Sequence, residues 1–152
     1  METAAYDKDV ILWSQEQARL LRAGQFAHLD IEHLADEIED VGKSEKREFA
    51  NRIGVLLAHL LKWQHQPERR AADGPSLRSW ANTIRNQRER IALAIKATPS
   101  LKASLRDPDW RRLAWLDAVE QAASETGLDE SEFGEACPWP MEQVMAPGFM
   151  PD

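Results

Sequence analysis

Residues 30–66 read DIEHLADEIEDVGKSEKREFANRIGVLLAHLLKWQHQ. Leu34, Ile38, Val41, Phe49, Ile53, Leu56, Leu60 and Trp63 recur in steps of three and four, the period of an amphipathic helix. Asp30 supplies an N-cap and Pro67 a stop. Gly42 costs about 1 kcal/mol relative to alanine inside a helix, yet the apolar phase passes through it without a slip. One continuous helix is therefore expected over residues 30–66. Its stretch LLAHLLKW, residues 56–63, is apolar on nearly every side, which places that part in the middle of a helical bundle.

At about 100° per residue, the slot between Val41 and Phe49 falls on Glu45, so that carboxylate is expected to project into the apolar face. Arg52 lies on the edge of this face, and Glu37, Glu48 and His59 follow on the same shoulder. A buried carboxylate without a partner is costly, and Glu48 and Arg52 stand at the four-residue spacing of a same-helix ion pair. Glu37, Glu48 and His59 are spaced by eleven, which returns to one face but rises roughly 16 Å per step. Ligands of one ion lie within about 2–2.5 Å of it, so these three cannot share a metal. The Glu-x-x-His pair of di-iron bundles is absent. No metal and no cofactor is expected, and a satisfied structural network is the preferred reading of the stripe.

The length of 152 residues and a hydrophobic content of 43% suit one domain, residues 1–152, with a substantial core. No apolar run approaches the eighteen residues of a membrane helix and no signal peptide is evident. The single Cys137 excludes an internal disulfide framework and fits a reducing cytoplasm. Six tryptophans fall mainly on helical apolar positions, as core anchors do. Charge is uneven: residues 1–42 carry a net −7, residues 43–106 a net +9 and residues 107–152 a net −9. The basic middle offers Lys62, Arg69, Arg70, Arg78, Arg85 and Arg88 as phosphate contacts. The overall charge of −7 and the lack of any nucleic-acid-binding motif weigh against such a partner.

Residues 6–23 read as a first helix, with Asp7 as N-cap, Gly24 as the left-handed stop, and Tyr6, Val10, Trp13, Gln17 and Leu20 on one face. Phe26 and Leu29 are expected to pin the following turn into the core. Residues 68–75 read as a polar loop. A third helix is expected from Ser76 or Ser79 to Ala97, burying Trp80, Ile84, Gln87, Ile91 and Ala94 or Ile95 and exposing an arginine-rich remainder. Thr98-Pro99 and Asp107-Pro108 each open a further helix. The longer of these is expected to end at Gly127 and to bury Trp110, Leu113, Leu116, Val119 or Glu120, and Ala123. Asp129 to Glu132 has capping-box spacing. Residues 137–152 hold four of the eight prolines and read as an irregular tail that docks, with one turn at residues 141–145. The expected fold is all-α: a compact multi-helix bundle around the central helix.

There is no strand pattern, internal repeat, glycine-rich phosphate loop, CxxC, HExxH or GxSxG. The four histidines do not cluster at ligand spacing. The runs YDKDVILWSQEQARLLRAGQFAHLD, LADEIEDVGKSEKRE and LLAHLLKWQHQPERR, with RSWANTIRNQRERI, TPSLKASL, ETGL and CPWP, resemble those of a bacterial family catalogued as domain of unknown function family 29. The resemblance covers nearly the whole chain. It implies an all-helical fold and no activity, and it carries over no catalytic residue.

These features favour a small cytoplasmic helical interaction or regulatory module, with a protein partner or self-association and no membrane. A metal-dependent or acid–base enzyme built on Glu37, Glu45, Glu48, Arg52 and His59 is the alternative. Nucleic-acid binding through the basic region 62–90 comes third.

Overall fold

The computed structural model of the protein describes residues 5–72 and 75–152, and the side chains of all of these except 70–72 and 75–77. The fold is all-α, and no strand occurs among the described residues. The chain divides into two compact units at the Glu45/Lys46 boundary. The long helix α2, Ile31–His65, passes through that boundary unbroken, and Gly42 does not interrupt it.

The first unit consists of α1, Val10–Arg22, and the first part of α2. Asp9, not Asp7, caps α1, accepting from the Leu12 N–H at 3.1 Å. The backbone explains the offset. Lys8 N and Asp9 N both donate to Ala5 O, closing a turn over residues 5–8, and Asp9 is the first extended residue after it. Gly24, at φ +71°, ends the helix. The Gln25 N–H reaches Leu20 O and the Gly24 N–H reaches Leu21 O, the paired bonds of a Schellman stop. A short 3-10 turn, Phe26–His28, leads to α2. Trp13, Gln17 and Leu20 are buried as the periodicity requires. Other expected core positions are not: Phe26 is 63% exposed, Ile38 70% and Val41 66%. Their apolar phase is real, but nothing among the described residues packs over it.

The second unit is built on the rest of α2. Phe49, Ile53, Leu56, Leu57, Ala58, Leu60 and Leu61 are essentially solvent-free, so the apolar-all-round stretch does lie at the centre of a core. It is followed by α3, Pro67–Ala72, in place of the expected polar loop. Next come α4, Pro75–Ala97, and a 3-10 stretch, Pro99–Arg106. Then α5, Pro108–Thr126, is capped by Asp107 and stopped by Gly127 at φ +76°. A 3-10 turn, Glu130–Phe133, is capped by Asp129 and precedes the single-turn α6, Met141–Met145. Contacts climb α2 and α5 in step: Phe49 against Trp110, Gly54 against Ala114 and Asp117, Lys62 against Glu125. The two helices therefore lie side by side in the same direction.

The buried face of α5 is Trp110, Ala114, Trp115, Ala118, Val119 and Ala122, while Leu113 and Leu116 are 63% and 53% exposed. Trp110 and Val119 of the expected stripe are buried and Ala123 packs against the core, but Leu113 and Leu116 are not part of the inner face. The segment Leu113-Ala114-Trp115-Leu116 is apolar on every side, so periodicity cannot choose its inner face. Small residues four apart at Ala114, Ala118 and Ala122 present the flat surface that a close neighbour requires. On α4, Ile84 and Ile91 are buried as expected, and Arg88, expected on the exposed face, is buried with them. The C-terminal segment docks: Val144 is fully buried and Met141 nearly so.

Candidate functional site

In the first unit a set of polar and aromatic groups ties α1 to α2. Trp13 Nε1 donates to Asp30 Oδ2 at 3.0 Å, and the Asp30 N–H donates to Gln17 Oε1 at 2.8 Å. Asp30 Oδ2 also meets His33 Nδ1 at 2.6 Å. The Tyr6 ring stacks on His33 at 4.2 Å and stands edge-on to Trp13 at 4.9 Å. The Tyr6 hydroxyl donates to Glu37 Oε1. Asp30 and His33 are three apart, so one helical turn brings them together. Asp30 also sits where an N-cap belongs, with the His33 N–H 3.4 Å from Oδ1.

Hydrogen bonding to Asp30 holds the His33 imidazole above its ordinary range. The same bond, aided by that from Trp13, holds the Asp30 carboxyl below its own. The Tyr6 phenol is pushed up to about 12, first by its bond to Glu37, then by burial, then by the charges of Glu37, Asp40 and Asp36. Both proton-bearing groups thus hold their protons more tightly than usual. Proton transfer near neutrality asks for a group whose proton is poised there, and the Tyr6 phenol, held at about 12, is not such a group. The cluster joins the two helices of the first unit.

Tyr6 is the single tyrosine of the chain, so its titration can be read by absorbance alone. Ionisation is expected near pH 12 in the folded protein, and Glu37→Gln is expected to bring it back toward 10. The unfolded chain ionises this phenol first, so stability falls as pH rises from about 10 through 12. A wild-type titration near pH 10 would show that the Tyr6–Glu37 bond does not persist in solution.

A groove of about 350 Å³ runs beside the cluster. Val10, Ile11, Ala18 and Leu21 of α1 and Leu34 and Glu37 of α2 line it. Val10, Ile11 and Leu21 are 49%, 67% and 47% exposed. Along α2 the apolar positions continue to Ile38 and Val41. A single hairpin of this size has too little partner surface to cover both stripes.

The residues singled out from sequence are not gathered into one site. Glu37 lies in the first unit, bonded to Tyr6. Glu45 is exposed instead of projecting into a buried face, because the face of α2 it occupies is itself open at Val41. Glu48 and Arg52 form their ion pair at 3.0 Å on the surface. His59 is half-buried, and burial first, then the Lys62 charge, holds its imidazole below the ordinary range. Among the described residues no group of three histidine, cysteine or acidic side chains is placed to hold a metal ion. The basic set divides as well. Lys62 is paired with Glu125 at 2.8 Å and lies 5.8 Å over the Trp80 ring. Arg88 is buried, whereas Arg69, Arg78 and Arg85 are exposed. The side chain of Arg70 lies outside the described residues. Cys137 is half-buried, and burial pushes its thiol up, away from thiolate reactivity.

Sequence reasoning had Tyr6 and Trp13 on one helix face and Asp30 as a cap, but did not join them to His33. The three-residue spacing of Asp30 and His33 was the one local signal, while the meeting with Trp13 and Tyr6 depends on how the hairpin closes.

A family described as domain of unknown function DUF29 matches over residues 5–150. No curated protein and no solved structure matches the chain. No helix among the described residues is long and apolar enough to cross a membrane.

Proposed function

The chain belongs to the DUF29 family of domains of unknown function, and from that premise we propose that it is a small helical protein-interaction module of the cytoplasm, with residues 10–41 as its binding face. One observation carries the reading. Large apolar side chains at Ile11, Ile31, Ile38 and Val41 are each about two-thirds exposed, and all belong to the first unit. Scattered exposed leucines are ordinary, but an apolar stripe repeated on two adjacent helices marks an interaction surface. The lone cysteine suits a reducing compartment.

The enzyme reading has less support, because its residues lie apart along α2. The nucleic-acid reading loses Lys62 to an ion pair and Arg88 to the core.

Photo-crosslinking tests the proposal. With p-benzoylphenylalanine in place of Val41, irradiation of cells making the protein is expected to give a discrete heavier adduct. The adduct is expected to disappear when Ile11→Asp is added. No adduct, or one indifferent to Ile11→Asp, overturns the assignment of this face.

A further inference from the structure

We propose that the groove between α1 and α2 receives a basic amphipathic helix of a partner protein. The inference rests on the interaction reading above and adds the chemistry of the partner.

The first argument is shape. Leu34 lines the groove from α2, and Ile31, Ile38 and Val41, at steps of three and four from it, carry the same apolar line past both ends of the groove as an exposed ridge roughly 15 Å long at 1.5 Å per residue. Val10, Ile11 and Leu21 form the opposite wall of the groove, with the small side chain of Ala18 on the same wall. Two apolar ridges with a trough between them are what an amphipathic helix enters, with anchors at i, i+3 or i+4, and i+7.

The second argument is charge. Between Ile31 and Val41 there are five carboxylates, Glu32, Asp36, Glu37, Glu39 and Asp40, and no lysine or arginine. Residues 5–45 hold 10 acidic and 4 basic side chains, a net −6. One of the four, Arg19, is already paired with Glu16 at 2.8 Å. A second copy of this hairpin, laid symmetrically on the first, would bring −6 against −6. Like charges across an interface select against a partner, and opposite charges steer and select for it. A helix with an apolar stripe flanked by lysine or arginine satisfies both the trough and its acidic surroundings.

The third argument is rigidity. Tyr6–Glu37 and Trp13–Asp30 tie the two arms of the hairpin together at the edge of the groove, which Trp13 and Glu37 themselves line. The walls are held at a fixed spacing before anything binds, which lowers the ordering cost of association. Glu37 has both roles, since it lines the groove and accepts from Tyr6.

The test uses the full chain and two synthetic helical peptides. They share one leucine stripe, and one carries lysine and the other glutamate at the remaining positions. Binding is read by fluorescence anisotropy of the labelled peptide, and oligomeric state by light scattering. The lysine peptide is expected to bind at one per chain, more weakly as salt is raised, and the glutamate peptide is not. Ile38→Asp is expected to weaken the lysine peptide about tenfold, the scale of one lost aliphatic anchor. That substitution makes the surface more acidic, so attraction by charge alone predicts the opposite change. Ile38 is exposed, so the variant keeps its fold.

Lysine-peptide binding that is unchanged or tighter in Ile38→Asp overturns the groove as the docking site. Equal binding of both peptides overturns the basic partner, and binding of neither overturns the helix-in-groove mode. A dimer of the chain that dissolves in Ile38→Asp assigns the face to a second copy instead. In any of these cases, a persisting Val41 adduct keeps the interaction reading, and a missing adduct removes it too.

Discussion

Arg88→Leu is expected to cost about 3 kcal/mol of stability, from one buried and one part-buried carbonyl stripped of their donors. Arg88 is only 7% exposed. Its Nε donates to Val144 O at 2.9 Å, its Nη2 donates to Phe149 O at 2.6 Å, and its guanidinium lies 5.9 Å from the centre of the Phe149 ring. Burial lowers its pKa from the ordinary arginine value, but an arginine stays charged at any physiological pH. One planar group thus satisfies two carbonyls of a segment that has a single helical turn of its own. Leucine supplies bulk and no donor. Lysine supplies a point donor that cannot span both oxygens, so Arg88→Lys is expected to lie between leucine and wild type. Denaturant unfolding measures the loss, and limited proteolysis after residue 137 reports release of the segment. A cost below about 1 kcal/mol, with the segment still protected, would mean that water replaces the guanidinium at both carbonyls.

Gly54→Leu is expected to be about as damaging, near 3 kcal/mol, through overpacking. Gly54 lies inside α2, where glycine costs about 1 kcal/mol relative to alanine, so its presence points to a contact that a larger residue would break. A Cβ built there lies 2.7 Å from Asp117 Oδ2 and 3.3 Å from the backbone oxygen of Ala114 on α5. The two contacts differ in kind. The Asp117 carboxylate is the far end of a half-exposed side chain and can turn away, but the Ala114 carbonyl belongs to a helix and yields only by a few tenths of an ångström. Gly54→Ala therefore sets a gain in helix propensity against a small displacement of α5, and is expected within about 1 kcal/mol of wild type. Leucine is expected to drive the two helices apart, because it adds three carbons beyond a Cβ that already lies 3.3 Å from the Ala114 carbonyl oxygen. A chemical denaturation midpoint that falls for leucine and barely moves for alanine is the expected pattern. Equal losses for both would mean that the first side-chain carbon already meets the full constraint at the Ala114 carbonyl.

Much of the helical scheme was legible because it depends on near neighbours in the chain. Gly24 and Gly127 supply the left-handed stops, Asp107-Pro108 and Asp129 open the elements they were expected to open, and the apolar phase carries α2 through Gly42. The failures have a common form. At residues 113–116 and at Ile38 and Val41 the apolar pattern is correct, but pattern alone does not say which face finds a partner. Arg88 was read as surface because it is an arginine on an arginine-rich helix. It is buried because two carbonyls from a segment more than fifty residues away need donors there. Glu45 was read as buried from the same wheel that placed Phe49 correctly, and the difference is the presence or absence of a covering element.

The sequence by itself determined the all-α class, the long unbroken helix, the glycine stops, the Asp107 and Asp129 caps, and the family, since these rest on local backbone preference and on the period of the apolar residues. Only the tertiary structure decided which apolar stripes are core and which are open, and that Tyr6, Trp13, Asp30 and His33 meet. Those outcomes depend on contacts between elements distant in the chain, where desolvation and hydrogen-bond completion are settled by whatever packs opposite.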